Sequence, residues 1–177
     1  MKLPDLLSQK KAPILERWLH LLFASYPAQT TDFLKREKDR FNNPLAFRLS
    51  QGLTGLYEAL LRDTDADQVH AFLDDIISIK ALQDFSPSQA VAFIFLLKQV
   101  IREELAGELK DAQLAQECLE FESHIDGLAL LCFEVYMKRR EKLYELRIKE
   151  VKNQVSGLMR RTGLTLTTPN QKADANG

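Results

Sequence analysis

Three histidines, two cysteines and two pairs of adjacent carboxylates are the residues from which this chain would have to build chemistry at neutral pH. His20 (WLHLLF), His70 (DQVHAF) and His124 (ESHIDG) each sit among apolar residues at helical spacing, a setting in which imidazole can act as a base or ligate haem iron. Nothing aligns any of them with a proximal position. The expectation for all three is a half-buried, hydrogen-bonded side chain, and haem is not expected. Metal binding needs clustered ligands, and the His, Cys and acidic positions show no recognised spacing. Cys118 and Cys132 share a helix face, but at 1.5 Å per residue they lie about 21 Å apart, beyond disulfide reach. Asp74-Asp75 and Glu103-Glu104 point about 100° apart on a helix, so they read as solvated faces rather than acid/base pairs. There is no phosphate-binding glycine loop, dinucleotide fingerprint or nucleophile elbow. The chain is therefore expected not to be an enzyme, with no catalytic or metal residues assigned.

The elements that hold these residues are helical. Seven glycines and six prolines in 177 residues are few, strand-like alternation is absent, and apolar residues recur at a period near 3.6. With 45% apolar residues, one domain can bury about two-thirds of its unfolded surface. A first helix carries Ile14, Leu15, Trp18, Leu19, Leu22 and Tyr26, with Pro13 in its first turn and Pro27 past its end. The charged stretch TTDFLKREKDRF is expected to hold one or two helical turns. Asn43-Pro44 then caps a helix to about Arg62, in which Gly52 and Gly55 allow a neighbour to approach closely. Another helix starts at Asp65 or Asp67, with Val69, Phe72, Leu73, Ile76 and Ile77 inward. Ser86, Pro87 and Gln89 form the S-x-x-Q capping box of the next. Its run from Ala90 to Leu97 is apolar all round, which predicts a helix enclosed by others. From about Leu109 to Arg161 no proline occurs, so one helix about 75 Å long, or two bent at Asp126-Gly127, is expected. Its first part, with Ala115, Cys118, Leu119, Ile125, Leu128 and Cys132, should pack on the bundle.

Charge is distributed unevenly along this last segment. The net charge is −1, yet residues 102–126 hold eight acidic residues against two basic ones. From Lys138 to Arg161 the balance inverts to nine basic against three acidic. Glutamates interleave in that basic rod, and Glu145 with Lys149 makes the i, i+4 pair of a solvated helix, so nucleic acid is not the expected partner. A protein with an acidic surface, or the acidic segment of a second subunit, suits the charge as well. Tyr144, Ile148, Val151, Val155 and Leu158 are spaced 4, 3, 4, 3, which is a heptad seam for a dimer or partner. Folding back on its own domain is the alternative. The polar tail LTLTTPNQKADANG, residues 164–177, is expected to be disordered. No run approaches the roughly 18 apolar residues of a membrane span, and MKLPDLLSQKK has no signal-peptide core, so a cytoplasmic protein is expected.

The segments ILERWLHLLFASYP (14–27), RFNNPLAF (40–47), DDIISIKALQDFSPSQAVAFIFLLKQVIREEL (74–105) and IDGLALLCFEVYMKRREKLYELR (125–147) resemble the RsbRD N-terminal domain family. Its members are RsbT co-antagonist, stressosome-type signalling proteins, and the domain also precedes histidine kinases. QDFSPSQA followed by FLLK is the most specific part. The resemblance covers residues 5–160 and implies a sensory domain, globin-like but without haem, that signals through a C-terminal helix to a STAS-type or kinase partner. Too few residues follow that helix for an output domain, so either a free-standing sensor or a piece of a longer chain is implied.

The resulting expectation is a single all-α helical bundle over residues 1–163, with a long C-terminal helix at about 109–161. It would act as a non-catalytic, homodimeric sensory or regulatory module without cofactor or membrane contact. A haem- or small-ligand-binding globin-like sensor and a plain scaffold are the alternatives. Trp18, Tyr26, Phe41, Phe93 and Phe95 are the residues expected near any internal pocket.

Overall fold

A computed structural model of the chain describes residues 2–27, 43–62, 64–82 and 85–163. The TTDFLKREKDRF stretch, Phe41 within it, and the tail from residue 164 lie outside these. Among the described residues the elements are α-helices and a single 3-10 turn, so the structure is the all-α bundle with a long C-terminal helix that the periodicity predicts. The helices are α1 Leu3–Gln9, α2 Lys11–Ala24, α3 Pro44–Leu61, α4 Ala66–Leu82, α5 Pro87–Glu104 and α6 Ala112–Thr162, with the 3-10 turn Glu108–Lys110 before α6.

Most of the helix starts are set by the local signals in the sequence. Asn43 Oδ1 accepts from the Ala46 N–H at 3.0 Å, and Pro44 occupies the first helical position of α3. At α5 the Gln89 N–H donates to Ser86 Oγ and the Ser86 N–H donates to Gln89 Oε1, closing the capping box at 3.3 and 3.0 Å. Asp111 Oδ1 takes the N–H groups of Gln113 and Leu114 at the start of α6. Helix α1 is a departure, since MKLPDLLSQKK carries no expected helix. It forms because Leu3, Leu6 and Leu7 reach the core, while the Leu3 N–H donates to Glu117 Oε2 of α6 at 2.8 Å. One of its first-turn N–H groups is capped from across the fold, although Pro4 in the first turn and Asp5, which accepts from the Lys2 N–H at 3.2 Å, are local signals for its start.

The chain divides into two compact units, residues 1–140 and 141–177. In the first, α3 packs on α4, α2 on α5, and α1 against both α2 and α3. The α3–α4 approach depends on glycine: a Cβ at Gly52 would come within 2.8 Å of Ile76, and one at Gly55 within 2.5 Å of the Phe72 ring. Residues 112–140 of α6 are tied to the bundle through Arg102–Glu122, Lys98–Asp126 and Arg139–Asp74. Helix α6 runs without a break at Asp126-Gly127. It ends before Gly163, whose φ of 71° is the left-handed conformation that stops a helix.

Two expectations about the core need correction. Helix α5 is not enclosed all round, because Ala92 and Phe95 face solvent, Phe95 being 48% exposed. Leu119 does not pack on the bundle but is 55% exposed, while Phe121 and Glu122 take the inward positions beside Cys118. At α5 a broad apolar run is only partly covered, and Leu119 lies in a polar stretch beside the inward stripe of Cys118, Phe121, Glu122 and Ile125. An apolar run shows only that burial is tolerated.

The glycines make a sharp prediction. Gly55→Ala should destabilise the protein by about 1–3 kcal/mol through overpacking, and Phe72→Ala should remove that penalty in a double-mutant cycle. At Gly127 an added Cβ meets nothing within 4 Å, so Gly127→Ala should stabilise by up to about 1 kcal/mol. Denaturant unfolding of the four variants reads both effects.

Candidate functional site

Lysine 80 lies on the core side of α4, in register with Leu73, Ile76 and Ile77. Its side chain is fully buried, and among the described residues its amine has no hydrogen-bond partner. Three rings surround the nitrogen, with centroids 4.3 Å away at Phe85, 5.0 Å at Tyr26 and 5.6 Å at Phe93. Each lies within cation–π range, worth about 0.5–2 kcal/mol depending on solvent exclusion. The cage is built from four parts of the sequence: Tyr26 just past α2, Lys80 on α4, Phe85 before α5, and Phe93 on α5.

The rings are themselves held. Trp18 stacks on Phe93 at 6.2 Å between centroids, and its Nε1 donates to the Phe93 carbonyl at 2.6 Å. Tyr26 meets Phe85 edge-on at 5.1 Å. The Tyr136 hydroxyl of α6 donates to the Phe85 carbonyl. Trp18 and Tyr136 thus occupy two carbonyls of the caging residues.

Burial pulls the Lys80 amine down from 10.5 to about 8. The ring faces oppose it, since a quadrupole favours the ammonium. At neutral pH the group is therefore mainly a buried cation. Cys132, also buried, is pushed up to about 12 and stays a neutral thiol. Tyr26 is raised to about 12 by burial.

Of the five residues expected near a pocket, the structure brings Trp18, Tyr26 and Phe93 together. Phe95 faces solvent on α5, and Phe41 lies outside the described residues. The sequence reading missed Lys80, Phe85 and Cys132. A signal existed at Lys80: it continues the 73, 76, 77 spacing by three and four residues, a register position that should be apolar.

The other chemical candidates are dispersed. His20 and His124 are exposed, and His70 is partly so, which corrects the expectation that all three are half-buried. Asp74 pairs with Arg139 and Asp75 with Arg48, so the adjacent carboxylates serve different partners. Glu122, only 5% exposed, accepts from Arg102 Nε and Nη2 at 2.5 and 2.6 Å. Among the described residues no three His, Cys, Asp or Glu side chains are placed to hold a metal ion. A cleft of about 350 Å³ lies beside α1, with Lys2, Leu6, Glu108, Asp111 and Glu117 in its walls. Its acids are already engaged, by Lys10, by the α6 N-terminus and by the Leu3 N–H. No described helix is long and apolar enough to cross a membrane.

The family described as the RsbT co-antagonist protein rsbRD N-terminal domain matches residues 12–151. An uncharacterized protein of Archaeoglobus fulgidus is 28% identical over 139 residues, covering 77% of this chain and 82% of that protein. No solved structure matches.

The Lys80 amine makes stability depend on pH. Between about 8 and 10.5 the unfolded chain keeps a proton that the folded chain has lost, so this residue makes stability rise with pH across that window. Below it the buried ammonium costs on the order of 3 kcal/mol. Lys80→Met should therefore raise stability at pH 7 by about 1–3 kcal/mol, the outcome expected when an apolar isostere replaces a buried charge. Its advantage should shrink as pH rises from 8 to 10. A constant advantage in urea unfolding across that range would show that the ammonium is not the strained species.

Proposed function

The chain belongs to the RsbRD N-terminal domain family, a regulatory-type family of signalling proteins, and we propose that it is a non-catalytic sensory module working through its C-terminal helix. In this reading the bundle around α5 receives the stimulus. Residues 144–158 of α6 deliver it, by pairing with a second copy of the chain and by presenting a basic surface to a signalling partner of the STAS or kinase type.

One observation carries the reading. Tyr144, Ile148, Val151, Val155 and Leu158 are 42–60% exposed along the helix of the second unit, on the 4, 3, 4, 3 spacing of a heptad seam. Five large apolar side chains left in water on one stripe support an interface. Polar and charged residues fill most of the rest of that helix, as they do around a coiled-coil seam, with exposed Leu146 lying off the stripe. In a parallel pair, Arg140 of one copy would face Glu145 of the other, but Arg147 would face Lys152. Self-pairing of so basic a helix should therefore tighten with salt.

Light scattering tests the pairing. At micromolar concentration the mass should be twice the 20.3 kDa of one chain, and Val151→Asp, which places a charge in the seam, should return it to one chain. A wild-type protein that stays monomeric, with mass and shape unchanged by Val151→Asp, would sink the proposal.

A further inference from the structure

A buried ammonium surrounded by aromatic rings is an incomplete arrangement. Its nitrogen is fully buried, and ring faces offer attraction but no oxygen to accept its three N–H donors. The carbonyls of Phe93 and Phe85 already receive the Trp18 indole and the Tyr136 hydroxyl. Of the titratable groups around it, Tyr26 lies beyond α2, and Cys132 and Tyr136 come from α6. The Cys132 thiol, pushed up to about 12 by burial, stays neutral and supplies the amine no counter-charge. No carboxylate among the described residues pairs with it.

From this geometry we propose that the Lys80 amine and the Tyr26, Phe85 and Phe93 rings form a binding site for a small carboxylate. Its oxygens take the amine's N–H donors, and its apolar body lies among the rings. The proposal deepens the sensory reading and rests on it, by giving the stimulus a chemical class. Three features favour a carboxylate over other ligands. A neutral ligand leaves the charge uncompensated, a multiply charged anion such as phosphate exceeds a single cation, and an inorganic halide makes no use of the apolar walls. By linkage, anion binding and amine protonation assist each other. Apparent affinity should therefore fall about tenfold per pH unit above the amine's own midpoint near 8.

Trp18 is the chain's one tryptophan and stacks on the cage wall, so its fluorescence reports on the site. The full chain would be titrated with sodium butyrate and sodium benzoate at constant ionic strength, with sodium chloride and benzamide as controls. In parallel, the Lys80 side-chain carbon resonance would be followed against pH, assigned by its loss in Lys80→Met. A saturable fluorescence change with one of the carboxylates is expected, with a Lys80 midpoint raised by at least one pH unit. Affinity should be lost at least tenfold in Lys80→Met. Phe85→Leu, which keeps the amine and removes one ring, should weaken binding severalfold and serves if Lys80→Met does not fold. An equal response to chloride or benzamide, an unmoved Lys80 midpoint, or unaltered binding in the variants would overturn the proposal. Carboxylate binding by monomeric Val151→Asp separates the two readings: its persistence leaves the site standing whatever the fate of the seam, and a dimer blind to carboxylates leaves the seam standing alone.

Discussion

Seven apolar side chains of α5 must leave water together, and that requirement organises the first unit. Ala90, Val91, Phe93, Ile94, Leu97, Val100 and Ile101 occupy more than one stripe of an 18-residue helix, so no single neighbour can cover them. Helix α2 covers part, through Trp18 on Phe93, and α4 and α6 approach from other sides. Polar contacts complete what apolar packing begins. The Lys10 amine donates to the Glu104 carbonyl at 2.6 Å, satisfying the C-terminal end of α5, and the Arg102–Glu122 pair fixes the rotation of α6 against it. Ala92 and Phe95 mark where cover ends.

The Lys80 cage is a consequence of that arrangement with a cost attached. A methionine or leucine at position 80 would satisfy the same register and bury the same stem without desolvating a charge. Three rings offset part of the penalty, and the Trp18 and Tyr136 hydrogen bonds hold the cage residues in place. Packing alone gives no reason for a lysine there, which is why the residue points to function rather than to stability. Where sequence-level rules are broken inside an otherwise consistent fold, the break is expected at a working site.

Legibility followed the range of the interactions involved. Ser86 with Gln89 and Asn43 with Pro44 announce their helices because each cap is closed within four residues. The close approach at Gly52 and Gly55 was readable for a similar reason: two missing side chains three apart on a helix face leave a groove. Helix α1 was less legible: Pro4 and Asp5 mark its start locally, but the Leu3 N–H is capped by Glu117, 114 residues away. Trp18, Tyr26 and Phe93 could be named as pocket candidates from bulk and periodicity, but those criteria select Phe95 equally well, and only packing separates Phe93 from it. Lys80 escaped because its charge argues for the surface more loudly than its register argues for the core. A lysine at the 3, 4 spacing of an apolar stripe, flanked by an aromatic five residues on, is the pattern that would have found it.

Helix α6 also holds the cage. Tyr136 holds the Phe85 carbonyl, and one turn further on Arg139 grips Asp74, which precedes Lys80 on α4 by six residues. The same unbroken helix then carries Tyr144 and the seam behind it. No proline or left-handed residue intervenes before Gly163. A change at Lys80 that alters the hold of Phe85 on Tyr136 would reach α6 at that contact. That coupling is mechanical only if the Tyr136 and Arg139 contacts have two arrangements of similar energy. A buried amine whose charge costs about as much as two or three good contacts supply is the kind of group that can bias such a balance.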